Sequence, residues 1–131
     1  MKHFPIAPMG AVRMTYYSKS KDPRALEYAR WKRQVHLLAQ GWEFPDSGAK
    51  ILFEFEMPAS WSEKKRLEMC NQPQQSYPDW DNCAKALVDA LRRDDQKIWH
   101  IGGIEMLWST RNGITVYENA PRDFVCSKCG K

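Results

Sequence analysis

Apolar and polar positions alternate most clearly between Ala49 and Pro58. There Ile51, Phe53 and Phe55 interleave with Leu52, Glu54 and Glu56, a period of two that predicts a strand with one buried face, ended by Pro58. A different period follows from Trp80 to Arg93, where Ala84, Leu87, Val88 and Leu91 fall at the i, i+3, i+4, i+7 spacing of an amphipathic helix. A second helix, of roughly five turns, is bracketed by Asp22 as N-cap, Pro23 at the first helical position and Gly41 as the stop. Its residues Leu26, Ala29, Val35 and Leu38 are placed to lie on a sheet while Arg30, Lys32 and Arg33 project elsewhere.

The remaining elements are shorter. Residues 4–17 suggest an N-terminal strand interrupted by Pro and Gly, with Val12, Met14 and Tyr16 on one face. Ser60 with Glu63 three residues on is a capping-box pattern, so a short surface helix is expected over residues 60–69, followed by an irregular polar connection over 71–78. Residues 97–109 and 114–119 are β-like, and the Asn112-Gly113 pair between them is a strong hairpin signal. The order strand, helix, strand, short helix, helix, strand, strand implies a single α+β domain over residues 1–120, with helices packed on a mixed sheet. Residues 121–131 have little periodicity and read as a mobile C-terminal tail.

Composition narrows the class. A chain of 131 residues with 43% hydrophobic and 27% charged residues has the balance of one soluble domain and not of a disordered segment. No apolar run approaches the roughly 20 residues of a membrane-spanning helix, and the N-terminus lacks the apolar core of a secretory signal, so a cytoplasmic protein is expected. The four cysteines are then unlike a disulfide framework. Cys126 and Cys129 have metal-ligand spacing, but a structural zinc site wants four ligands, and the other candidates Cys70, Cys83, His3, His36 and His100 form no second pair.

The net charge of +4 is unevenly spread. Residues 1–42 hold eight Lys/Arg against Asp22 and Glu27, leaving the rest slightly acidic, a division that suits bringing a polyanion to an acidic site. The acidic candidates are in YPDWDN, residues 77–82. Asp79 and Asp81 admit two readings, an N-cap plus a first-turn anion favoured by the helix dipole, or a pair of metal ligands. Lys85 shares a helix face with Asp81, and Asp94 and Asp95 emerge from the helix C-terminus, where the dipole disfavours anions. That end lies roughly 20 Å from Asp79, so only chain reversal or a second subunit would bring Asp95 near.

The pattern P-D-W-D-N-x-x-K-x-x-x-D-A-L followed by D-D, together with MPASWSEKKR at residues 57–66, resembles the RusA family of Holliday-junction resolvases, common in bacteriophages and prophages. The resemblance is good over residues 50–108 and loose over the N-terminal third. It implies a homodimer that makes paired nicks in branched, four-way DNA. It also implies Mg²⁺ held by Asp79, Asp81 and Asp95, with Lys85 assisting catalysis. The family usually has several more residues between the helix and its Asp-Asp pair than the Arg92-Arg93 found here, which leaves both Asp94 and Asp95 as candidates for the third ligand.

The residue types suit that chemistry. Phosphodiester hydrolysis needs an activated water, an in-line approach and neutralised negative charge, and Mg²⁺ bound by hard carboxylate oxygens supplies all three. Lys85 would stabilise the scissile phosphate, against a plain ion pair with Asp81 or Asp89. Asn82 would steady an aspartate or merely serve the first turn, and Asp89 reads as structural. Arg13, Lys19, Lys21, Arg30 and Arg33 are the candidate phosphate contacts. Trp80 and Tyr77 suit either stacking on DNA or packing around the loop. The competing functions are a non-catalytic branched-DNA-binding accessory protein, in which the aspartates only order a loop, and a nuclease acting on flaps.

Overall fold

A computed structural model describes residues 1–12 and 22–129. Its elements are β1 (Lys2–Phe4), α1 (Pro23–Ala39), β2 (Ala49–Glu56), α2 (Glu63–Met69), α3 (Trp80–Leu91), a 3-10 turn at Asp95–Lys97, β3 (Ile101–Ser109) and β4 (Gly113–Tyr117). The four strands form one mixed sheet in the order β1-β4-β2-β3. With its three helices this is the small α+β domain expected. Among the described residues, no helix is long and apolar enough to cross a membrane.

The alternation in β2 sets the layers. Ala49, Ile51, Phe53 and Phe55 are buried, as the period of two requires, and meet Val35 of α1 and Ala86 and Leu87 of α3 in one core cluster. The intervening Lys50, Leu52, Glu54 and Glu56 occupy the opposite face of the strand. β2 is central, parallel to β3 and antiparallel to β4, so its apolar side chains lie at the middle of the sheet.

That topology corrects the hairpin. β3 and β4 are not paired; β2 lies between them, and Thr110, Arg111 and Asn112 cross over its end. Asn112 serves this crossover with its side chain, since its Oδ1 accepts the Glu56 backbone N–H at 2.8 Å. A two-residue hairpin pattern and a crossover both need turn-forming residues, and the sheet partner decides between them.

Three further expectations change. The N-terminal strand is only Lys2–Phe4, antiparallel to β4; residues 5–12 are irregular, and Met14 and Tyr16 lie outside the described residues. The cap of α2 is Ser62, whose Oγ accepts the Lys65 N–H, not Ser60; α2 buries no side chain. In α1, Asp22 does cap the helix and Pro23 does open it, and Gln40 and Gly41, both at positive φ, end it. However, its buried stripe is Ala25, Tyr28, Trp31, Val35 and Ala39, with Leu26 and Ala29 exposed and Leu38 only partly buried. Tyr28 and Trp31 win the inward face because each brings a large apolar body and finds a partner for its polar tip, Asp89 Oδ2 and the Ala7 carbonyl respectively.

Candidate functional site

The segment after α2 is irregular in sequence yet firmly attached. Asn71 N–H donates to the Trp108 carbonyl, Trp108 N–H to the Gln72 carbonyl and Gln74 N–H to the Met106 carbonyl, each within 3.0 Å, so residues 71–74 run along the open edge of β3. Gln74 then turns its side chain into the loop, where Nε2 donates to the Tyr77 carbonyl and Oε1 accepts the Ser76 N–H, both at 3.2 Å. At 6% exposure this amide is buried with donor and acceptor both used. From the other side, Ala11 N–H donates to the Asn82 carbonyl, and Gly10 sits so close that an added Cβ would be 2.9 Å from Pro78 Cβ. The YPDWDN loop is therefore held between the sheet edge and the N-terminal segment.

Asp79 occupies the N-cap position of α3 with extended backbone, but its side chain accepts no helix N–H. Position and use thus separate: the residue starts the helix, yet its exposed side chain makes no cap hydrogen bond. Asp81 follows in the first turn, also exposed, and the two line an open cleft of about 440 Å³ with Trp80, Pro78, Gln74 and Met106. Their joint field is felt one turn inside. The buried Cys83 thiol is pushed up to about 12, by burial first and then by the charges of Asp79 and Asp81.

Lys85 stands exposed one turn along the same face. The ion pair with Asp81 or Asp89 is not formed, for no carboxylate lies within 4.0 Å of it among the described residues, which include every Asp and Glu of the chain. Asp89 instead accepts the Tyr28 hydroxyl at 3.0 Å and so ties α3 to α1, the structural role expected of it.

The short turn after α3 is organised by Arg92. Its guanidinium, 11% exposed, bonds Asp94 Oδ1, Asp46 Oδ1 and the Phe44 carbonyl at once. The Arg92 hydrogen bond holds the Asp94 carboxyl below its ordinary value. Asp95, the first residue of the 3-10 turn, is exposed and lines a second cleft with Lys85, Val88 and Asp89. Chain reversal thus brings Asp95 back to Lys85 but not into the cleft of Asp79 and Asp81. Among the described residues no three His, Cys, Asp or Glu side chains gather closely enough to hold a metal ion. That covers the three aspartates and also the zinc reading, because Cys126 and Cys129 are exposed in the tail without two further ligands.

The residues present do fit Mg²⁺ in the way that ion is commonly held, by one or two carboxylates with water and substrate phosphate completing the shell. Asp79 and Asp81 are hard-oxygen donors on an open cleft, with room for both. Of the candidate phosphate contacts, Arg30 and Arg33 are exposed on α1, whereas Arg13, Lys19 and Lys21 lie outside the described residues. A residue missed in the candidate set is Lys32. It is half-buried, its Nζ stands 4.6 Å from the Tyr28 ring centroid, and it lines a third cleft together with Asn82, Lys85 and Asp89. Its signal was available, since Lys32 lies four residues after Tyr28, on the border of the apolar stripe.

No curated protein and no solved structure matches the chain. A family model does, that of endodeoxyribonuclease RusA, over residues 5–117. This span takes in β1's neighbour segment, all three helices and the acidic loop, so the match rests on the same framework that builds the clefts. The chain belongs to the RusA endodeoxyribonuclease family, and that membership implies Holliday-junction resolution.

Proposed function

We propose that the protein is a Mg²⁺-dependent resolvase of four-way DNA junctions, serving DNA recombination and repair in the cytoplasm, and that it acts as a homodimer with one acidic site per subunit. The observation that carries this reading is the Asp79 carboxylate, placed at an N-cap yet capping nothing, and sharing a solvent-open cleft with Asp81. A pair retained only to start a helix would have its N-cap oxygen on a backbone N–H.

Asp79 and Asp81 hold the ion, which when bound supplies charge neutralisation and a water of lowered pKa. Lys85, exposed one turn on and with no carboxylate within 4.0 Å among the described residues, sets its ammonium against the negative charge that develops on the scissile phosphate. Asp95 acts from the neighbouring cleft, on the Lys85 side of α3, presented by the turn that Arg92 fixes. Arg30 and Arg33, with Arg13, Lys19 and Lys21, contact flanking phosphates. Twofold symmetry of a dimer matches two scissile strands of one junction.

Cleavage of a synthetic four-way junction in Mg²⁺ and in EDTA, beside Asp81→Asn, tests the proposal. Paired nicks in Mg²⁺ are expected, with none in EDTA and a loss of at least ~100-fold in the variant. Metal-independent cutting, or an Asp81→Asn protein as active as wild type, would rule the mechanism out. Tight junction binding without cutting under any divalent ion would replace it with the accessory-protein reading, and a preference for flaps with the other nuclease reading.

A further inference from the structure

The cleft beside the acidic one has the opposite character. It has a volume of about 560 Å³ and is lined by Tyr28 and Lys32 of α1, Asn82, Lys85 and Asp89 of α3, and Ala11 and Val12 of the N-terminal segment. Neither lysine has a carboxylate within 4.0 Å among the described residues. Asp89 is the one acid lining it among the described residues, and its Oδ2 already accepts the Tyr28 hydroxyl. Two ammonium groups against one engaged carboxylate leave the cleft cationic.

Lys32 is also pre-placed. Its Nζ rests over the face of Tyr28, a ring that is itself buried and locked to α3 through Asp89. A lysine held this way has surrendered much of its rotamer freedom before any ligand arrives, which lowers the cost of ordering it on binding.

We infer that Lys32, which shares this cleft with Lys85, binds the backbone phosphate next to the scissile one on the strand that the aspartates address, as a binding residue for the backbone and not for the chemistry. The inference rests on the resolvase reading for the identity of the ligand. Lys85 is one helical turn from Asp81, a rise of about 6 Å, and phosphates along one strand rise about 3.4 Å each. That rise matches phosphates one or two nucleotides apart on a continuous strand. The Tyr28–Asp89 bond fixes the separation of α1 and α3, and with it the width of the subsite.

The test is junction binding measured without cleavage, in EDTA, over a salt series for wild type, Lys32→Met and Lys32→Arg. The methionine keeps the stem over Tyr28 and removes only the charge. Its affinity is expected to fall about tenfold, equally for junctions of unrelated sequence, with the log–log salt slope smaller by about 0.9, the value of one phosphate contact. Lys32→Arg should restore both. In Mg²⁺, kcat at saturating junction should be unchanged for Lys32→Met, in contrast to Lys85→Met. An unchanged affinity and slope in Lys32→Met overturns the inference, as does a drop in kcat at saturating junction. Failure of wild type to cut would sink the resolvase reading while leaving this binding comparison intact.

Discussion

Arg92 donates its Nε–H to Asp94 Oδ1 at 3.0 Å, and this bond distinguishes two adjacent aspartates that sequence leaves equivalent. Asp94 is drawn into the clamp that closes the turn, while Asp95 is left on the cleft with Lys85. Asp94→Asn is therefore expected to lower stability and Asp95→Asn to lower nicking with the melting temperature kept. A melting curve and a junction-cleavage assay on both variants check the division.

The same bond fixes the sign of an acid effect. Asp94 titrates below its ordinary value of 3.8 in the folded protein, so the unfolded chain takes up the proton first as pH falls. Its contribution is fully present above 3.8 and is lost as pH drops through the lower folded value. The melting-temperature gap between wild type and Asp94→Asn should be constant from pH 5 to 7 and close below about pH 4.

Tyr28 gives the opposite limb. Burial raises its hydroxyl pKa above the ordinary 10.0, with the Asp89 charge adding to the shift, so the unfolded chain loses this proton first as pH rises. Stability should fall above pH 10, and fall less in Tyr28→Phe. At neutral pH that variant leaves the Asp89 carboxylate without its donor and should lose about 1.5–3 kcal/mol in urea unfolding.

Gln74 holds the acidic loop by both ends of its amide. Gln74→Ala removes two bonds from a buried position and is expected to destabilise by about 2 kcal/mol. Because these bonds order the loop preceding Asp79, the Mg²⁺ concentration for half-maximal nicking should rise as well. Equilibrium unfolding and a Mg²⁺ titration measure the two effects separately.

Adjacent glycines in β3 should behave differently. An added Cβ at Gly102 would lie 2.5 Å from Ala120 Cβ, a neighbour whose amide is bonded to the Gly48 carbonyl, whereas at Gly103 the nearest atom is Lys50 Cγ at 4.0 Å. Gly102→Ala is expected to cost about 1–3 kcal/mol, and Gly103→Ala to be neutral or stabilising by up to ~1 kcal/mol. Paired urea titrations decide it.

The sequence by itself determined the elements with strong internal periodicity or explicit caps. β2 and α3 read correctly because each buries one face, and a buried face imposes its period on the chain; α1 read correctly at its ends because Asp22 and Pro23 act locally. The DWDN…K…DD pattern likewise marked the acidic loop and the family. Only the tertiary structure decided what depends on partners far along the chain. Asn112-Gly113 became a crossover because β2, nearly 60 residues away in sequence, took the place between β3 and β4. Tyr28 and Trp31 turned inward because Asp89 and Ala7 were there to satisfy their polar tips. Asp79 and Asp95 were assigned to different clefts by Arg92, whose partners Asp46 and Phe44 no local pattern connects to it. Periodicity and caps are short-range physics, legible in a window of residues; hydrogen-bond satisfaction and strand order are settled only when distant segments compete for the same space.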